Sequence, residues 1–140
     1  MIFRMEAVDE LRDSLVQVSF GVIAVLNRVA AEHDLSLTLL RVLGILRDRE
    51  PAMADLATYL GLERSTVSGL IDRAVQRGLV RKATDPVDGR SVRVSLTTEA
   101  RRLEVRVIAE IGELMAPMTG GLNAAEQKRL TALLAKMLER

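Results

Sequence analysis

The stretch MADLATYLGLERSTVSGLIDRAVQRGLVRKATDPVDGRSVRVSL, residues 53–96, changes periodicity partway along. Up to Gly78 its apolar residues recur in steps of three and four, the spacing of one helical face. From Val92 they alternate strictly with polar ones, the spacing of a half-buried strand. Pro51, just ahead of the stretch, starts the helical part and Gly61 divides it, which predicts two short helices, AMADLATYL and ERSTVSGLIDRAVQRG, with Gly78 in the usual helix-terminating position. Residues 79–84 supply an antiparallel partner for 92–96, and the Asp-Pro and Asp-Gly pairs between them signal a hairpin turn.

Two helices joined by a glycine form either a plain structural hairpin or a helix-turn-helix. The second needs a small residue where the helices cross, a glycine in the turn and apolar residues around both. Ala57, Gly61 and the pair Val67 and Leu70 meet those needs, with Leu56, Leu60 and Leu62 expected at the remaining core positions. A β-hairpin directly afterwards is the order of a winged helix, whose second helix enters the major groove while the wing reaches a minor groove or phosphate.

Working outward, residues 6–33 form a long helix with Leu11, Leu15, Val18, Val22, Leu26 and Val29 on one stripe. Val8, Val16, Ile23, Val25 and Ala30 widen that stripe beyond what one neighbour covers, so a second surface is expected to bury the rest. Ser36 caps a helix over 37–47 that faces Leu39, Leu40, Leu43 and Leu46 inward. Beyond the hairpin, Thr97 caps another long helix, with Glu99 in its first turn, that fades near Pro117. Asn123 and Glu126 form a capping box for a final helix with Leu130, Leu133, Leu134, Met137 and Leu138 apolar. The fold class is mainly α with a small β-hairpin: one domain over 1–140, a winged helix-turn-helix at 35–97 flanked by N- and C-terminal dimerisation helices at 6–33 and 98–139.

Composition narrows the function. With 140 residues, a hydrophobic share of 49% and only 2% aromatics, the chain predicts a single unit with an aliphatic core. The absence of cysteine excludes disulfides, thiolate zinc sites and thiol-oxidation sensing, and a lone His33 builds no metal cluster. His33, without an evident carboxylate partner, reads as a helix-terminal cation or polar contact and not as a ligand. No glycine-rich phosphate loop is present, so no catalytic constellation and no cofactor are expected. The N-terminus lacks a signal-peptide pattern and no apolar run approaches a membrane span, from which a soluble, cytoplasmic protein without membrane contact is expected. Net charge is only +1, but the basic residues concentrate between Arg64 and Arg106, a distribution common among nucleic-acid binders.

The run LSLTLLRVLGIL followed by MADLATYLGLERSTVSGLIDRAVQRGLVRKATDPVDGRSVRVSLTTEARRL closely resembles the MarR family of bacterial winged-helix transcription regulators. RSTVS, LIDRAVQRGLV and DPVDGRSVRVSLT are its most specific parts. The resemblance implies a homodimer built from the first, fifth and sixth helices, acting as a ligand-responsive repressor on a pseudo-palindromic operator in double-stranded DNA. It also implies that small aromatic acids or other lipophilic effectors release that DNA, although no residue pattern marks their pocket.

At the exposed positions, Arg64, Ser65, Thr66, Ser68 and Gly69 lie in the first turns of the recognition helix, where hydroxyls meet base edges and phosphates and a glycine permits close approach. The serines and threonine have an alternative reading as helix caps. Asp72 and Arg73 form either a structural pair holding the helix to the wing or, for Arg73, a phosphate contact. Arg77 lies one turn further on and is also placed among the DNA-binding residues. Arg90 at the wing tip is expected in the minor groove, with Pro86 and Gly89 shaping the turn and Asp88 orienting Arg90. The family's wing often carries a further cation where Gly89 stands. A winged helix used only for protein contacts remains the rival reading.

Overall fold

The computed structural model describes residues 2–139. Its elements are α1 (Ile2–Glu32), α2 (Leu37–Ile45), α3 (Met53–Leu60), α4 (Arg64–Gln76), β1 (Val80–Thr84), β2 (Val92–Leu96), α5 (Thr98–Thr119) and α6 (Ala124–Leu138). Helix boundaries follow local chemistry. The Ser36 and Thr97 hydroxyls accept from the Leu39 and Ala100 amides, and Asn123 and Glu126 form a reciprocal capping box. Gly61 stops α3 in a left-handed conformation (φ 66°), which lets the Leu62 amide return to the Ala57 carbonyl at 3.2 Å. α3 and α4 begin on Ala52 and Glu63, neither of which makes a side-chain cap.

β1 and β2 pair antiparallel, Val80 opposite Leu96 and Thr84 opposite Val92. The Val94 amide also donates to the Pro51 carbonyl at 3.0 Å, and Ala52 bridges Arg93. The base of the hairpin is thus attached to the residues that lead into α3. Behind these elements lies one aliphatic core in which Val29, Val42, Leu46, Leu56, Val67, Ile71, Val80 and Val94 are fully buried. It draws on α1, α2, α3, α4 and both strands, so the helix-turn-helix and the wing share one rigid base.

Several expectations need correction. α1 begins at Ile2, α2 ends at Ile45, and α5 runs through Pro117 to Thr119. Proline removes the hydrogen bond its own nitrogen would donate and crowds the carbonyl four residues back, yet the helix continues past it and the Gly120 amide still reaches the Ala116 carbonyl at 2.7 Å. Leu62 is 38% exposed, because the left-handed turn at Gly61 carries it out of the core. Among the α1 residues whose burial is described, Val29 and Ala30 at the C-terminal end are the buried ones, whereas the stripe residues Leu11 and Val18 stay exposed. Segment Glu6–Glu32 is long and apolar enough to cross a membrane by length and composition, contrary to the sequence expectation. Ser14, Gln17, Ser19 and Asn27 break its apolar run without adding charge, which is how the segment escapes a search for an unbroken stretch. α6 has no buried residue, and Leu133, Met137 and Leu138 are at least half exposed.

Candidate nucleic-acid interface

α4 divides into two faces. Val67, Leu70, Ile71 and Ala74 are buried, while Arg64, Ser65, Thr66, Ser68 and Arg73 are exposed. The cap position is Glu63, so Ser65 and Thr66 sit inside the first turn and do not cap it. Among the described residues, the side chains of Arg64, Ser65, Thr66, Ser68 and Arg73 take no intramolecular hydrogen bond or ion pair. Their donors and acceptors are directed outward, on a helix end whose free amides favour anions. A Cβ at Gly69 would meet nothing within 4 Å, so the glycine leaves open space on this surface.

The wing is held from its base. Asp85 is buried, and its carboxylate accepts from the Val87 amide at 2.8 Å, the Asp88 amide at 3.2 Å and Arg93 Nε at 2.6 Å. The Val87 amide, the Arg93 guanidinium and then the Asp88 amide hold this carboxyl below the ordinary aspartate range, because each stabilises the charged form. Arg93 Nη1 continues to the Glu50 carbonyl at 2.8 Å, tying the wing to the α2–α3 loop.

Asp88 shapes the tip: its side chain accepts from the Arg90 amide at 3.1 Å and its carbonyl from the Ser91 amide at 3.0 Å. It therefore orients Arg90 through the backbone. Gly89 adopts no positive φ and a Cβ there would touch nothing within 4 Å, so the turn does not depend on it. Arg90 is exposed at the tip, and its side chain makes no hydrogen bond or ion pair among the described residues.

Between α4, the wing and the start of α3 lies a concave groove of about 490 Å³ lined by Arg64, Ser68, Lys82, Asp88 and Arg90. The fold thus brings the head of α4 and the wing tip, separated in sequence, onto one surface. Lys82, which sequence reasoning passed over, also pairs with Asp72 at 2.8 Å. Asp72 does hold the recognition helix to the wing, but through Lys82 and not through Arg73.

Arg77 departs from expectation. Its guanidinium donates to the Asp34 carbonyl at 2.6 Å and the His33 carbonyl at 3.2 Å, at the end of α1. The negative end of α1 attracts it there, which removes it from the groove set. His33 has a carboxylate partner after all: its Nε2 lies 2.8 Å from Glu110 Oε2 on α5.

A second, larger cavity of about 820 Å³ opens between α1, α2 and α5, walled by Leu26, Leu40, Leu43, Leu60, Val107 and Ile111. Its rim charges are partnered, Arg47 with Glu104 at 3.0 Å and Arg41 with the Tyr59 carbonyl at 3.0 Å. No local pattern announced this pocket, because its walls come from distant helices.

A family model described as MarR family matches residues 33–91. Apo wild-type MarR from E. coli is 26% identical over 92% of this chain and 96% of its own, with a TM-score of 0.76. BpsR from Bordetella bronchiseptica, solved for the mechanism by which 6-hydroxynicotinic acid regulates its DNA binding, is 28% identical over 91% and 92%, with a TM-score of 0.72. A mutant of E. coli MarR complexed with operator DNA shares the fold at 24% identity over 95% and 96%, with a TM-score of 0.74. No curated protein matches the sequence.

Proposed function

We propose that this chain, whose residues 33–91 match the MarR-family model, is a transcription regulator of that family that binds operator DNA as a homodimer and represses until a small effector occupies its apolar cavity. One observation carries the DNA-binding reading: unpartnered Arg64 and Ser68 on α4 line one groove with Arg90 on the wing, next to the exposed and equally unpartnered Ser65 and Thr66. Hydroxyls and guanidinium groups free of internal partners are available to phosphates and base edges. In this reading α4 enters the major groove, Gly69 allows close approach, Arg73 meets a phosphate and Arg90 enters the adjacent minor groove. Asp72 supports the wing through Lys82, and Asp88 shapes its tip.

The exposed apolar residues support a dimer through α1 and α6. Val8 and Phe20 on α1 are 63% and 68% exposed, and Leu138 on α6 is 80% exposed. Surfaces of this kind mark association sites. Two recognition helices related by a dyad require a pseudo-palindromic site with half-sites about 10 base pairs apart. The cavity between α1, α2 and α5 supports an effector that is mostly apolar, such as a small aromatic acid or other lipophile. BpsR offers the parallel, a regulator whose DNA binding responds to 6-hydroxynicotinic acid.

Fluorescence anisotropy of the chain's own upstream DNA against random duplex, over a range of salt, tests the DNA reading. Preference for the upstream duplex and affinity that falls steeply with salt are expected. Equal binding to both duplexes would favour a winged helix used for protein contacts. For the effector, aromatic acids that raise the melting temperature should also release the DNA.

A further inference from the structure

The guanidinium of Arg77 links two parts of the fold that the proposed function separates. It ends the recognition-helix segment, yet both of its hydrogen bonds go to the turn that closes α1. In that turn Asp34 holds a left-handed backbone (φ 56°), which favours glycine, and the Leu35 amide returns to the Ala30 carbonyl at 2.8 Å. His33, in the same turn, offers its carbonyl to Arg77 and its side chain to Glu110 on α5. One turn therefore joins α1, α5 and the end of α4. Among the described residues, no other side-chain hydrogen bond or ion pair connects α4 with α1 or its closing turn. The planar fork of arginine suits two neighbouring carbonyls at a negative helix end, where lysine would act as a single point charge.

We propose that Arg77 is a positioning residue, a strut that fixes the recognition helix against the dimerisation helices and so sets which half-site spacing the dimer accepts, without touching DNA. This rests on the reading of the chain as a dimeric DNA-binding regulator. In the proposed two-fold dimer α1 determines where each protomer stands, and α4 determines where each protomer reads. A tilt at the end of α4 is felt as a mismatch between the two half-sites.

The test begins with wild-type protein selecting an operator from randomised duplex DNA. Affinities are then measured for that operator and for versions with one base pair added or removed between the half-sites, a change of about 34° in relative rotation. Wild type should discriminate strongly against both altered spacings. In Arg77→Ala that discrimination should shrink by about threefold to tenfold, while the salt dependence on the native spacing stays as in wild type. Arg77→Lys should recover part of the discrimination.

An Arg77→Ala protein with unchanged spacing preference and a shallower salt dependence would make Arg77 a phosphate contact and overturn the strut. Unchanged spacing preference with only a lower melting temperature would overturn it as well, in favour of a merely stabilising role. If Arg77→Ala alone fails to fold, the same measurements are made in an Asp34→Gly background, where glycine relieves the left-handed turn. Should wild type enrich no duplex at all, the DNA-binding reading itself falls and the strut with it. Enrichment with a spacing preference that Arg77→Ala leaves intact brings down only the strut.

Discussion

Replacing Arg90 by alanine should change how binding responds to salt more than it changes the fold. The side chain projects from the wing tip without an internal partner, so its loss leaves no buried group unsatisfied. In the proposed reading each protomer places three cations on DNA, Arg64, Arg73 and Arg90, whereas Lys82 is paired with Asp72 and Arg77 with the end of α1. A dimer then neutralises about six phosphates, and at roughly 0.9 counterions each the logarithm of affinity should fall with the logarithm of salt at a slope near −5.4. Arg90→Ala removes two of the six and should flatten the slope to about −3.6. Between roughly 50 and 200 mM salt, wild type should lose about 2,000-fold in affinity and the variant about 150-fold. Anisotropy titrations on one duplex at four or five salt concentrations resolve that difference. A slope in Arg90→Ala equal to wild type would refute the placement of this residue on DNA, whatever happens to affinity at any single salt.

Leu56→Ala empties a fully buried position under the helix-turn-helix and should destabilise by about 2–5 kcal/mol, read as a lower urea midpoint. Gly61→Ala meets no steric obstacle but strains a left-handed turn, and should cost about 1–2 kcal/mol with an unchanged denaturant slope; a neutral result would contradict the assigned conformation. Leu133→Glu places a charge on the exposed apolar face of α6 and should convert a dimer into a monomer in sedimentation, with melting temperature no longer rising with concentration. Asp85 has a folded pKa below its unfolded value, so its contribution is complete above about pH 3.8 and is lost as pH falls through the lower folded value. The stability difference between wild type and Asp85→Asn should therefore narrow only in that acidic window; a difference that already disappears at pH 5 would be incompatible with it.

What could be read along the chain were features made by a few consecutive residues. Caps at Ser36, Thr97 and Asn123, stops at Gly61 and Gly78, and strand alternation at 92–96 depend on neighbours within four positions, and all appear where the sequence puts them. The exposed face of α4 was legible for the same reason, as the complement of a helical core stripe. One boundary drifted because a single residue was overvalued, since Pro117 does not end α5, and Gly89 lies in the wing turn without a conformation that requires glycine.

By itself, then, the sequence determined the succession of helices, the hairpin after the helix-turn-helix, the aliphatic character of the core and the residues available on the recognition helix. Only the tertiary structure decided which charges are free to act. Arg77 finds its carbonyl acceptors 43 and 44 positions away, His33 meets Glu110 across 77, and Arg93 reaches the Glu50 carbonyl across 43 while gripping Asp85. The same closure formed the apolar cavity between α1, α2 and α5. Periodicity and capping arise from the geometry of a single turn and so are written locally. The partner of a long charged side chain is set by which distant backbone the packed core brings within its reach, and no local pattern encodes that distance.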